Sequence, residues 1–207
     1  MPEAGQATHK GQQTREEILR AALGFACTVG LDGMSIGALA EKTGLSKSGL
    51  YAHFESKEAL QCAVLDTAAD MFTDLVLRPA IQEPRGLPRI ERLFDLWVDW
   101  KDETFGGGCP IIAAATDFDD RPGAIHDKVK YYIDEMIGVI ARAAEIAVEE
   151  GHFDKGLDIR QFAYEFWGLL LAQQHYHRLL QHGDANLLAK RAFDSLVERA
   201  AHPSSLS

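Results

Sequence analysis

The sequence is short of cysteine, of long apolar runs and of positive charge, and each shortage removes a class of protein. Its three cysteines, Cys27, Cys62 and Cys109, lie far apart with no CxxC pair, which argues against a disulfide framework or a thiolate zinc site. No stretch approaches the roughly 18 uncharged apolar residues that mark a membrane span. Residues 1–15 lack the apolar centre of a secretory signal, so the expected location is the cytoplasm, with no membrane partner. Also missing are a nucleophile elbow, an HExxH pair and a dinucleotide fingerprint, so the expectation is no enzyme and no cofactor. His175 and His177 stand two apart, hence on different faces of a helix, which is wrong for a shared metal. Asp117, Asp119 and Asp120 read as caps or solvated carboxylates at a helix start. The Gly106-Gly107-Gly108 run has no strand before it and no GK[ST] after it, so it reads as a joint beside Pro110 rather than a phosphate cradle.

What is present is concentrated between Ser35 and Leu60. Ser35, Ser46 and Ser56 each stand where a side-chain oxygen can accept from the free N–H groups of a following helical turn. Gly44 can take the left-handed conformation that ends a helix within one residue. The spacing predicts two short helices joined by a tight turn, with a third beginning at once: a helix-turn-helix. At about 100° per residue, Leu50 and Phe54 share one side of the second helix and can close a core with Leu39, Ala40 and Leu45. Ser48 and Ala52 point the other way, flanked by Lys47 and Tyr51 on one side and by Gly49 and His53 on the other. That face is small, polar and cationic, as a helix lying in a DNA major groove needs.

In order, Ile18, Ala21-Ala22, Phe25, Gly30, Ser35-Ile36, Leu39-Ala40, Gly44-Leu45-Ser46, Leu50-Tyr51, His53-Phe54 and Ser56-Lys57-Glu58 give the run from Arg15 to Leu60 a specific pattern. It resembles the DNA-binding domain of TetR-family transcriptional regulators, over about a quarter of the chain. The resemblance implies an all-helical homodimer, usually a repressor, released from a palindromic operator by a small ligand held in the remainder. It assigns Tyr51, His53 and Lys57 to phosphates and Lys47, Ser48 and Gly49 to the approach to bases; Ser35, Thr43 and Ser46 complete the candidate DNA-contacting set.

A net charge of −10 sits awkwardly with DNA binding. Residues 1–60, however, hold six Lys or Arg against seven Asp or Glu, a balance of −1, and the other −9 belongs to the rest of the chain. Phosphate contact depends on the local patch, which Lys42, Lys47, His53 and Lys57 can supply with Lys10 and Arg15. The expected division is therefore a DNA-binding domain over 1–60, opening with a flexible arm over 1–12, and a helical ligand-binding and dimerisation domain over 61–207. A capping box at Thr14 to Glu17 is expected to open the first helix.

Beyond Leu60, Val64, Leu65, Ala68, Phe72 and Leu75 extend the helix begun at Ser56 towards Pro79, making it long enough to serve both domains. Pro88 suits the first turn of the next helix. A GC-P-x-x-x-A-A pattern followed by Asp120-Arg121-Pro122-Gly123 weakly extends the resemblance to one subgroup of these regulators. Phe162 to Ala172 is apolar nearly all round, which needs two apolar neighbours, the second most simply another copy of the chain. Phe94, Trp97, Phe105, Cys109, Phe118, Phe166 and Trp167, with Trp100 and Tyr176 nearby, fit either a pocket for an apolar or aromatic effector or plain core packing. Cys109, between a glycine joint and a helix start, fits either a redox or electrophile sensor or a buried thiol. A constitutive DNA-binding regulator with no ligand is the other alternative.

Overall fold

The computed structural model describes residues 4–103 and 108–201, and among these it is helical with no strand. The helices are α1 (Ala4–Val29), α2 (Ile36–Thr43), α3 (Lys47–Tyr51), α4 (Lys57–Phe72), α5 (Arg78–Gln82), α6 (Leu87–Glu103), α7 (Pro110–Phe118), α8 (Ala124–Glu149), α9 (Ile159–Gln174) and α10 (Ala185–Ala201). Two five-residue π-helical segments interrupt them, Thr73–Leu77 between α4 and α5 and His175–Leu179 after α9. The chain forms two compact units: residues 1–70 with 105–132, and residues 71–104 with 133–207.

In the first unit α1 packs on α2 and on α7, and α2 packs on α3. Ile18, Ala22, Leu23 and Ala26 of α1 are buried with Leu39, Ala40, Leu50, Phe54 and Leu60, while Leu45 is only half-buried. Helix α1 corrects two expectations. It begins at Ala4, so the arm expected over 1–12 is helical from that residue, and Thr14 lies inside the helix instead of capping it. The physical reason lies in pairs one turn apart: Gln12 donates to Glu16 at 2.9 Å and Gln13 to Glu17 at 3.4 Å, supporting a stretch whose Ala, Gln and Lys are good helix formers. Buried Gln61 of α4 donates to the Leu31 carbonyl at 2.8 Å, fixing the end of the α1–α2 connection.

The second unit is built on an aromatic core. Phe94 of α6 stacks on Phe193 of α10 at 4.1 Å between ring centres, and both meet Phe166 of α9 edge-on at 5.7 Å. Asp158 caps α9 by accepting from the Gln161 N–H at 3.0 Å. Helix α9 packs extensively on α10, and an Arg199–Glu165 ion pair closes their outer edge. Within a single chain α9 buries Phe162, Ala163, Phe166 and Leu170, but Tyr164 is 73% exposed and Trp167 half-exposed. Leu187 and Leu188 of α10 are exposed as well.

Candidate nucleic-acid interface and effector site

The helix-turn-helix is held by the expected caps. Ser35 and Ser46 both have extended backbone, and their hydroxyls accept from Ala38 N–H at 3.4 Å and Gly49 N–H at 3.0 Å. Ser56 accepts from Ala59 N–H at 3.0 Å. Gly44 sits at φ +68°, where the Gly44 and Leu45 N–H groups donate to Glu41 and Ala40 carbonyls at 3.2 and 3.0 Å. Those two reversed bonds are the Schellman ending, which satisfies carbonyls that the helix itself leaves free. Three backbone turns are thus fixed by four residues, and α3 is presented in one orientation.

On that scaffold Lys47, Ser48, Tyr51 and Ala52 are exposed, and Gly49, His53 and Lys57 half-buried. The Ser48 hydroxyl lies 2.9 Å from that of Ser46. Lys47 folds back over the first turn of α2: a Cβ placed on Gly37 would lie 3.5 Å from its Cε and 3.8 Å from its Nζ. Its charge therefore adds to the partial positive charge of that helix start. Lys57 Nζ donates to the Asp32 carbonyl at 3.0 Å, and the Asp32 carboxylate pairs with Arg121 at 3.1 Å, so the α1–α2 connection is tied from two sides. Thr43 differs from the others, because its hydroxyl turns back to its own helix, 2.8 Å from the Leu39 carbonyl. Lys42 lies over the Phe25 ring and Arg15 over Phe54, at 5.0 and 4.8 Å from the ring centres. The cationic patch and its apolar supports come from the same few helices.

Of the seven effector candidates, six lie among the described residues. Phe94, Trp97, Phe166 and Trp167 belong to the second unit, where Trp97 meets Phe166 at 6.4 Å and Trp167 at 6.0 Å. Cys109 and Phe118 belong to the first unit, and Phe105 lies outside the described residues. Cys109 opens α7 and is 1% exposed, the enclosed setting of a packing thiol rather than of a reactive one. Phe118 is buried beneath the Arg121 guanidinium.

Two features of the second unit escaped the sequence reading as site features. Phe72, the last residue of α4, lies edge-on to both Trp97 and Trp100, at 4.5 and 5.4 Å. The indole N–H groups of Trp97 and Trp100 and the Gln174 side-chain oxygen are buried without a hydrogen-bond partner among the described residues. Periodicity places an aromatic ring on a face but says nothing of where its N–H ends up. Elsewhere in this unit an apolar cavity of about 170 Å³ is lined by Leu77, Ile81, Leu93 and Ile146 with Arg89 and Arg142 at its edge. A shallower one of about 250 Å³ lies against Leu169, Tyr176, Leu188 and Ala192.

The first unit contains a second polar node. Asp66 of α4 accepts from Lys128 Nζ and from the Tyr132 hydroxyl of α8, each at 2.5 Å. Burial, and after it the hydrogen bond to Asp66, pushes the Tyr132 phenol well above its ordinary value. Burial likewise raises the Cys62 thiol, against the opposing influence of Lys128. No group of three or more potential metal ligands occurs among the described residues, and no described helix is long and apolar enough to cross a membrane.

The family described as "Bacterial regulatory proteins, tetR family" matches residues 18–64, and "Tetracyclin repressor-like, C-terminal domain" matches residues 86–193. No curated protein matches the chain. Among solved structures, a TetR transcriptional regulator from Chloroflexus aurantiacus J-10-FL is 25% identical, with 94% of this chain and 97% of that one covered and a TM-score of 0.83. A TetR-family regulator from Cytophaga hutchinsonii is 20% identical over 96% and 98% of the two chains, with a TM-score of 0.79. AibR, solved in complex with isovaleryl coenzyme A and operator DNA, is 20% identical over 92% and 100%, with a TM-score of 0.70.

Proposed function

The chain belongs to the tetR family of bacterial regulatory proteins, and from that premise we propose that it is a ligand-responsive repressor, binding a palindromic operator as a homodimer and leaving it when a small molecule binds. The observation that carries the DNA-binding part is α3, clamped by Ser46 and by the Gly44 turn, with Lys47, Ser48, Tyr51 and Ala52 all open to solvent. In this reading Lys47, Ser48 and Gly49 approach base edges, and Tyr51, His53 and Lys57 hold phosphates. Ser35 and Ser46 act at helix starts, and Thr43 acts only through the end of α2. Residues 1–60 carry DNA recognition, and residues 61–207 carry dimerisation and effector binding in a cytoplasmic protein.

Dimerisation is supported by the apolar face that α9 and α10 leave uncovered, with Tyr164, Trp167, Leu187 and Leu188 exposed to water in a single chain. A second copy would cover both helices, and a dimer supplies the two recognition helices about 34–36 Å apart that two half-sites demand. Effector binding is supported by the aromatic cluster of the second unit and its unpaired donors. The relative crystallised with an acyl-coenzyme A and its operator illustrates the two kinds of partner together.

The test is selection of bound fragments from genomic DNA by the purified protein, followed by footprinting. A protected inverted repeat is the expected outcome, with a dimer by analytical ultracentrifugation. Equal retention of selected and scrambled duplex would refute sequence recognition, and a monomer at micromolar concentration would remove the basis for two half-sites.

A further inference from the structure

Burying an N–H group with no acceptor costs about 1–3 kcal/mol, and natural proteins rarely tolerate it without a use. Trp97 is wholly buried and Trp100 is 7% exposed, and neither indole nitrogen has a partner among the described residues. They stand three residues apart on α6, hence on one face of the helix, their side chains separated by about 5–6 Å at Cβ. Both rings pack against the same Phe72. An N–H directed at an aromatic face recovers only a fraction of a conventional hydrogen bond.

We infer that the effector is an uncharged apolar molecule carrying a hydrogen-bond acceptor, an aromatic ketone or a similar carbonyl compound, held by the indole N–H groups of Trp97 and Trp100. The inference rests on the effector reading above and names the chemistry of that site. An indole offers a donor and no acceptor, so both groups call for a ligand that brings an acceptor atom rather than for a plain hydrocarbon. The rings against the two indoles, Phe72, Phe166 and Trp167, supply apolar surface without charge.

The same contact assigns a route to the DNA-reading end. Phe72 is the last residue of α4 before the backbone changes to the π-helical segment Thr73–Leu77. Such segments hold one residue more per hydrogen-bonded turn and recur at functional positions. A ligand seated on the two indoles displaces the Phe72 ring at the point where α4 can alter its register.

Acetophenone and ethylbenzene, matched in shape and differing in the carbonyl, test this in nitrogen-15 labelled protein. The chain has three tryptophans, and each indole resonance is assigned from single Trp→Phe variants. Acetophenone should move the Trp97 and Trp100 indole resonances downfield, while ethylbenzene moves neither in that sense. Trp97→Phe and Trp100→Phe should each weaken acetophenone by about 5- to 150-fold, as loss of a buried donor otherwise left unpaired does, and change ethylbenzene binding less than about twofold. Equal affinity for the two probes, or binding of acetophenone that leaves both indoles in place, overturns the inference while an effector site still stands. Binding of neither probe at millimolar concentration overturns the effector site in this cluster as well.

Discussion

Replacing Lys57 with Gln removes one positive charge from each recognition unit, and the expected result can be worked out before the operator is known. In the free protein the ammonium donates to the Asp32 carbonyl in an exposed setting, so losing that bond costs no more than about 1 kcal/mol. An ammonium has three donors, which leaves two for a phosphate oxygen. Each phosphate neutralised contributes about 0.9 to the slope of log affinity against log salt, so a dimer with two altered positions should lose about 1.8 of that slope. Between about 50 and 200 mM salt the wild-type affinity should then fall about 12-fold further than that of the variant. Fluorescence anisotropy with a labelled duplex across that range measures both slopes. The change should be the same for operator and scrambled duplex, because phosphate contacts carry no sequence information. An unchanged slope would show that Lys57 serves only the Asp32 carbonyl, and a loss confined to one sequence would place it at a base edge. The variant's melting midpoint should stay within about 4 °C of the wild type's, which separates a lost contact from a lost fold.

Gly44→Ala should cost about 1–2 kcal/mol by chemical denaturation, because φ is +68° and nothing lies within 4 Å of an added Cβ, leaving backbone strain as the whole effect. Gly44→Asn should cost less, and equal costs would point to a steric origin. Phe193→Ala, which empties a wholly buried position stacked on Phe94, should cost about 3–5 kcal/mol; a loss below about 1 kcal/mol would mean that the aromatic core can collapse around the gap. Asp66→Asn should let the Tyr132 phenol titrate nearer its ordinary value of about 10, read by tyrosinate absorbance. The folded state holds that phenol neutral, so its contribution is complete below the ordinary value and is lost as pH rises through the higher folded value. An unaltered titration would leave burial, with the Asp70 and Tyr131 charges, as the cause of the shift.

Local features of the fold were legible because their causes are local. Ser35, Ser46 and Ser56 each bond a backbone N–H three residues on, and Gly44 acts within its own turn, so residue type and spacing sufficed. Richness in Gly and Gln suggests a flexible N-terminal arm, whereas the side-chain pairs from Gln12 and Gln13 to Glu16 and Glu17 favour continuing the helix. Long-range partners left no signal of that kind. Asp66 meets Lys128 and Tyr132 across 62 and 66 residues, and no spacing announces it. Helical spacing places Phe94 and Phe118 on apolar faces but does not specify which neighbour covers each, and the two lie in different compact units. The π-helical segments were invisible for a related reason, since one extra residue shifts the pattern by a single position.

A ligand moves an equilibrium only by the difference between its affinities for the two states, however tightly it binds either. Satisfying two buried indole donors is worth about 2–6 kcal/mol if both are unpaired beforehand. Operator release by 5- to 150-fold requires about 1–3 kcal/mol of coupling. The donors can supply that coupling only if the DNA-bound state leaves at least one of them unsatisfied with the ligand in place. Phe72 provides a physical reason for such a difference, because its ring packs against both indoles at the end of the helix that starts at Lys57. If DNA holds that helix in the register seen here, Phe72 stays between the indoles and excludes the carbonyl, and ligand affinity must fall by the factor by which the ligand weakens DNA. Calorimetry of acetophenone with and without operator duplex measures that factor directly. Equal affinities would leave a ligand site without a switch, and Phe72→Leu, by freeing the indoles in both states, should bring the two affinities together while preserving DNA binding.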